Sequence, residues 1–216
     1  MIFFRCDAGS EVGLGHLVRS INLGLELYKF LGYKPTFIIN SSEKIISKYL
    51  DRKYFNLILS ETRIGTDEDF TFLKKYLTED CLLIVDSRYA RQKDIDNWSK
   101  SFFLIGIDDG LNKLNWPIKL NYNLYAEGSN SNDLIGPKYN LINSKFFSPN
   151  KTNKYIPRIL ITMGGEDPDN LTSWIIENSA GILNSLDVRI IIGAAHPDKI
   201  KVRKKTIKHL PKAKIF

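Results

Sequence analysis

The feature that most limits how this chain can fold is its regular alternation of short apolar runs with helical periods. Residues 2–6 read as a strand, and residues 15–31 as a helix with Leu17, Ile21, Leu25 and Tyr28 at three- and four-residue spacing. Gly32 is placed to stop that helix. Further strand-like runs fall at 36–40, 55–60, 82–86 and 102–108, with helices near 43–50, 67–77 and 92–99. Such a rhythm predicts an α/β fold in which helices cover a parallel sheet, as in Rossmann-like domains. Residues 121–153 break it. They are rich in Asn, Ser, Gly and Pro, and read as strand fragments and a connection. The rhythm resumes with a strand from Arg158, a glycine turn at Gly164 and Gly165, and a helix over 170–183 with Leu171, Trp174 and Ile175 on one face. A strand over 187–192, a basic helix from 199 and the start of a strand at 214–216 follow. The expected domains are 1–150 and 157–216. Both should be Rossmann-like, the second incomplete, with an unpaired edge at 214–216 open to self-association.

Charge and cysteine content remove several function classes. The formal net charge is +7, but residues 196–216 alone hold eight Lys or Arg and one acid, so the preceding residues balance. The basic stretch lacks interleaved aromatics and reads as a solvated helix face, which argues against nucleic acid as a partner. No apolar run is long enough to span a membrane, and charge by the fifth residue argues against a secretory leader. Cys6 and Cys81 sit in apolar runs and read as reduced, buried thiols of a cytoplasmic protein. Three histidines without clustered Cys or His spacing give no metal site.

Four loops could carry chemistry, each at the carboxyl end of an expected strand, where open α/β sheets bind ligands. The first is Asp7-Ala8-Gly9-Ser10-Glu11-Val12-Gly13-Leu14-Gly15-His16. Gly13 and Gly15 permit close backbone approach, and the amides of a helix start suit an anion. A third glycine is missing, which disfavours a NAD-dependent oxidoreductase. Glycines here are more often plain turn formers and a lone histidine more often structural, yet His16 stands where a general base is useful. The second loop, Met163-Gly164-Gly165-Glu166-Asp167-Pro168-Asp169-Asn170, repeats the device, with Pro168 and Asp169 as helix-start residues. One such loop per domain favours a shared cleft. Asp167 and Asp169 form a D-x-D pair that helix capping explains as well as metal would. The third and fourth are Val85-Asp86-Ser87-Arg88-Tyr89 and Asp108-Asp109, whose acids could hold sugar hydroxyls or amides, or simply cap the next segment.

Taken together, these segments resemble the UDP-sugar hydrolases of the pseudaminic-acid pathway and their spore-coat polysaccharide relatives. The matching stretches are Phe4-Arg5-Cys6-Asp7, Gly13-Leu14-Gly15-His16-Leu17-Val18-Arg19, Asp86, Asp108-Asp109, Asn121-Tyr122-Asn123, Ile135-Gly136-Pro137-Lys138-Tyr139 and Ile161-Thr162-Met163-Gly164-Gly165. The resemblance implies a glycosyltransferase-B-like fold with two Rossmann-like domains, similar to the glycosyltransferase that makes lipid II. It implies no metal and no cofactor. The implied substrate is a UDP-linked 2,4-diacetamido-trideoxy sugar, cleaved by water at the anomeric carbon, with His16 activating or positioning that water. Gly13, Gly15, Arg19, Asp86, Arg88, Asn123, Gly164 and Gly165 are the implied substrate contacts. The sequence departs from the family pattern at Arg88, where a tyrosine is usual, and at Asn143, where an arginine often stands. It also lacks the Ser/Gly loop and glutamate helix that hold uridine and ribose in the family, so little activity and millimolar UDP binding are expected of it. The alternatives are a glycosyltransferase of the same fold, or an inactive chain that only binds.

Overall fold

A computed structural model of the chain describes residues 1–9, 12–110, 114–146, 158–193 and 196–216. The chain divides into two compact units, Met1–Ser148 and Pro149–Phe216. The first contains β1 (Ile2–Asp7), α1 (Gly15–Leu31), β2 (Thr36–Asn40), α2 (Glu43–Ile46), β3 (Asn56–Leu59), α3 (Asp67–Leu73) and β4 (Leu82–Asp86). It continues with α4 (Gln92–Ser99), β5 (Phe103–Ile107), β6 (Lys119–Asn121) and β7 (Leu134–Ile135). The sheet is parallel throughout, in the order β3-β2-β1-β4-β5-β6-β7. The stretch expected to be fragments and a connection therefore supplies the last residue of β6 and all of β7. α2 and α3 end several residues earlier than their apolar patterns suggest, the chain leaving each through tight turns at Ser47–Leu50 and Lys74–Leu77.

The two-residue period of the strands sorts side chains onto two buried faces. Ile2, Phe4 and Cys6 of β1 join Leu17 of α1, Phe37, Ile39 and Phe55 in one core. Phe3 faces the other way, into a core with Ile38, Leu73, Leu83, Ile95 and Trp98. Arg5 shares that second face and is fully buried. Its Nε donates to Asp69 Oδ1 at 3.1 Å, Nη1 to the Ile38 carbonyl at 3.1 Å and Nη2 to the Thr62 carbonyl at 2.7 Å. Gly24 lets α1 lie close to the sheet, since a Cβ there would stand 3.1 Å from the rings of Phe37 and Phe55. Gly32 ends α1 in the left-handed conformation, its N–H bonded to the Tyr28 carbonyl. Both cysteines are buried thiols, and burial pushes that of Cys6 far above its ordinary value, so it is inert.

The second unit contains β8 (Arg158–Thr162), α5 (Leu171–Leu183), β9 (Asp187–Ile191), α6 (Lys199–His209) and β10 (Lys214–Ile215). Its three strands are parallel in the order β10-β9-β8. Ile161, Ile176, Val188, Ile190 and Val202 form its core. The buried face of α5 differs from the expected one. Leu171 and Trp174 are 45% and 60% exposed, while Thr172, Ser173, Ile176 and Leu183 are buried. The carboxylate of Asp167 holds the first two amides of the helix, and this capped first turn lies with Thr172 and Ser173 inward. α6 is a basic surface helix whose buried residues are Val202 and Thr206. No helix among the described residues is long and apolar enough to cross a membrane.

Candidate functional site

The strand order of the first sheet reverses between β1 and β4: β2 and β3 lie on one side of β1, and β5 to β7 lie beyond β4. Loops diverge above such a reversal and leave a crevice at the carboxyl ends of the strands. The residues after β1 and at the end of β4 meet there. Gly13 takes a left-handed φ of 72° and its carbonyl accepts the Gly9 N–H at 3.2 Å, closing a tight loop before α1. Ser10 and Glu11 lie outside the described residues. Gly15 opens the helix, and a Cβ at Gly13 or Gly15 would meet nothing within 4 Å. The cap residue, Leu14, offers no side-chain hydrogen bond and the first turn holds no acid.

One turn of α1 places His16, Arg19 and Ser20 beside the buried carboxylate of Asp86. His16 Nδ1 is 2.7 Å from Asp86 Oδ1. Arg19 donates Nε to Oδ2 at 2.6 Å and Nη2 to Oδ1, and Ser20 Oγ donates to Oδ2 at 3.3 Å. Tyr122 accepts Arg19 Nη1 at 2.9 Å, and Asp109 stands 4.0 Å from the same guanidinium. A carboxylate oxygen at 2.7 Å requires a proton between it and the ring, so Nδ1 carries the hydrogen. The 3.0 Å approach of Arg19 Nη2 to Nδ1 is then a flanking contact, not a bond. That tautomer leaves the lone pair on Nε2, the arrangement of a base oriented by a carboxylate. Burial opposes the charge of Arg19, but its bonds to Asp86 outweigh that and hold it well above its ordinary value. Burial also pushes the carboxyl of Asp7 above the usual range, partly offset by the Ser87 hydroxyl and by His16. Asp7 Oδ2 accepts the Arg88 N–H at 3.1 Å, tying the loop after β4 to the end of β1.

His16 and Arg19 line a cleft together with Arg88 and Asp109. Ile107, Asp108, Leu114 and Trp116 line it as well. Of the residues singled out from sequence, His16, Arg19, Asp86 and Arg88 therefore converge. Asn123 does not line this cleft: its Nδ2 donates to the Asp109 carbonyl at 2.7 Å and so supports that loop. Asn143 donates to Asn22 of α1 at 3.5 Å, away from the dyad. Tyr122 and Trp116 are the additions that residue-by-residue reading did not single out. Tyr122 stood inside a stretch noted for its resemblance, and Trp116 had no signal beyond being an aromatic residue before a strand.

In the second unit Gly164 is left-handed at φ 73°, and Gly165 is open to added bulk. The loop after β9 lies against this turn, since a Cβ on Gly193 would collide with the Gly164 and Gly165 carbonyls. The start of α5 is organised by Asp167, not by Asp169 as the sequence suggested. Asn170 is the cap residue but makes no side-chain bond, whereas Asp167 accepts Leu171 N–H at 2.8 Å and Thr172 N–H at 2.9 Å. Asp167 reaches that geometry because the chain turns through a left-handed φ of 47° there. Burial pushes its carboxyl up, but the bonds from Thr172 and Leu171 outweigh this and hold it below the usual range. Among the described residues no His, Cys, Asp and Glu group could hold a metal, and of the D-x-D pair it is Asp167 that caps α5.

No protein-family model matches the sequence. The chain is 24% identical over 204 residues to the "Uncharacterized protein MJ1062" of Methanocaldococcus jannaschii, taking in 87% of this chain and 41% of that one. It thus spans about two fifths of the length of that curated relative. Among solved structures it is similar to MurG of Acinetobacter baumannii, with a TM-score of 0.54 at 8% identity over 100% of this chain and 65% of that one. It also matches the E. coli heptosyltransferase WaaC with a TM-score of 0.37 at 9% identity, over 100% of this chain and 76% of that one. The likeness to MurG shows the glycosyltransferase-B fold expected from the sequence.

Proposed function

We propose that the chain belongs to an enzyme that hydrolyses a UDP-linked diacetamido-trideoxy sugar, and that His16 is its general base. The observation that carries this reading is the His16–Asp86 dyad, 2.7 Å across, at the sheet's reversal point. Nε2 takes a proton from water as the water oxygen bonds to the anomeric carbon. The bond from that carbon to the phosphate oxygen breaks, and its electron pair leaves with UDP. The carboxylate of Asp86 stabilises the imidazolium that forms, and Arg19 holds Asp86 in place. Base catalysis of this kind contributes about 10²–10⁴-fold. UDP is already a good leaving group, so a base and a few donors suffice.

Release of UDP from UDP-sugars by the longer enzyme to which the chain is proposed to belong, with His16 and with His16→Asn, tests the reading. Loss of at least about 10²-fold in turnover with UDP affinity unchanged is expected. Equal rates in the two proteins would remove His16 from the mechanism. A second reading has its own support. Val18, Ile142 and Phe146 are 40%, 48% and 67% exposed, and they line an apolar groove running past Arg19 and Tyr122. Such a groove suits an apolar acceptor whose hydroxyl replaces water, which makes the protein a transferase. Product analysis separates the two, because a transferase releases UDP only when the acceptor is present.

A further inference from the structure

Two buried polar atoms of the His16 cleft have no hydrogen-bond partner among the described residues: Asp108 Oδ2 and Trp116 Nε1. Asp108 is 8% exposed and Trp116 3%, and both line the cleft with His16 and Arg19. The local fold uses neither atom. Asp108 shapes its turn through Oδ1, which accepts the Gly110 N–H at 2.8 Å. The Trp116 ring covers Gly106 so closely that a Cβ there would collide with it, and a phenyl ring would serve that packing too. Ser87, in the same cleft, is already engaged: its Oγ accepts the Tyr89 N–H at 3.0 Å, and its side chain bonds to Asp7. Buried donors and acceptors are nearly always paired, because an unpaired one is destabilising. The cleft is also small. It offers about 20 Å³ to a water-sized sphere, and one water needs about 10–15 Å³ and roughly two to four polar partners. An unpaired donor, an unpaired acceptor and that volume fit a single water molecule.

We propose that Asp108 and Trp116 seat the water that attacks the sugar. The indole N–H donates to the water oxygen, Asp108 Oδ2 accepts one of its protons, and Nε2 of His16 accepts the other. One lone pair of the oxygen remains, and it is the one that bonds to the anomeric carbon. As that bond forms, the proton on the His16 side passes to Nε2, the other stays on the oxygen with its hydrogen bond to Asp108, and the electron pair of the breaking bond leaves with UDP. The seat also selects its occupant. An alcohol has a single hydroxyl proton, which cannot serve Nε2 and Asp108 at once, and its carbon has no room in the space of one water. The inference rests on the hydrolase reading above and deepens it, by naming the residues that hold the nucleophile and the reason it is water.

The first test needs no substrate and uses the full chain. The indole N–H resonance of Trp116, assigned by its disappearance in Trp116→Phe, should show cross-relaxation to a water held longer than surface water. Asp108→Asn keeps an oxygen for the Gly110 N–H but puts a donor in place of Oδ2, and should weaken that signal. Its absence from the wild type overturns the seat. The second test uses the longer enzyme and a UDP-sugar that it hydrolyses. Asp108→Asn and Trp116→Phe should each lower turnover by about 10²-fold with KM little changed, the cost of a misplaced reacting group. With methanol added, the wild type should yield free sugar and no methyl glycoside. Unchanged turnover in both variants makes the held water structural only and overturns its role, and methyl glycoside rising in proportion to methanol overturns the selection. Should a variant misfold, the wild-type signal and the methanol product decide alone. A held water without UDP release from any UDP-sugar would sink the hydrolase reading and leave the seat standing. UDP release by an enzyme that holds no such water would do the reverse.

Discussion

At the scale of single residues, Arg5 is the least expected side chain in the protein. It sits in the interior strand β1, fully buried, and its partner Asp69 is 64 residues away. Removing the guanidinium alone strands a buried carboxylate, so Arg5→Met should cost about 3–5 kcal/mol, and Arg5→Met with Asp69→Leu much less. Urea titration of the two proteins checks this. In the sequence Arg5 spoke against a leader segment and stood in a stretch noted for its resemblance. Nothing local says that it is buried, because the acid that neutralises it comes from α3. Asp7 carries a second prediction. A carboxyl raised by burial contributes stability below the ordinary carboxylate range, and that contribution is lost as pH rises through its raised folded value. Asp7→Asn removes a charge that is unfavourable at neutral pH yet can still accept the Arg88 N–H. It should raise the melting temperature at pH 7, and the gap should close as pH falls toward about 4, near the ordinary carboxylate value. His16 was legible as a candidate because a histidine in a glycine loop is placed for chemistry. Its dependence on Asp86 was not, since a contact across 70 residues leaves no trace in local spacing.

At the scale of elements, the alternation of periods was enough to locate most strands, because both faces of a parallel sheet are buried and their apolar runs are dense. Helix faces were harder. α5 carries apolar residues on more than one side, so spacing alone could not tell Trp174, which is exposed, from Ile176, which is buried. The device that orients it, Asp167 in a left-handed turn, is invisible to a reading in which Asp169 stands nearer the helix start. Asp167→Ala should destabilise the second unit by about 0.5–2 kcal/mol, the usual worth of a cap, whereas Asp169→Ala should have little effect. Because the Asp167 carboxyl is held low, its contribution is present above the ordinary carboxylate range and is lost as pH falls through its folded value. The penalty of Asp167→Ala should therefore shrink in acid. Thermal melts of both variants at two pH values would show it.

At the scale of the whole molecule, strand order sets where stability concentrates. β1 and β4 are paired on both sides and buried on both faces, while β7 and β10 are two-residue edges. Amide exchange should be slowest in Ile2–Asp7 and Leu82–Asp86 and fastest at the two edges. Uniform protection across the sheet would contradict that ranking. The same order has a kinetic consequence. β1 pairs with β2 after one helix, but its pairing with β4 joins segments about 80 residues apart, and closing a long loop is a slow step in assembly. His16 meets Asp86 only once that closure is complete. During refolding, helical signal should therefore return well before the dyad exists, and a nascent chain released before Asp86 has joined the sheet would hold its histidine with nothing to aim it.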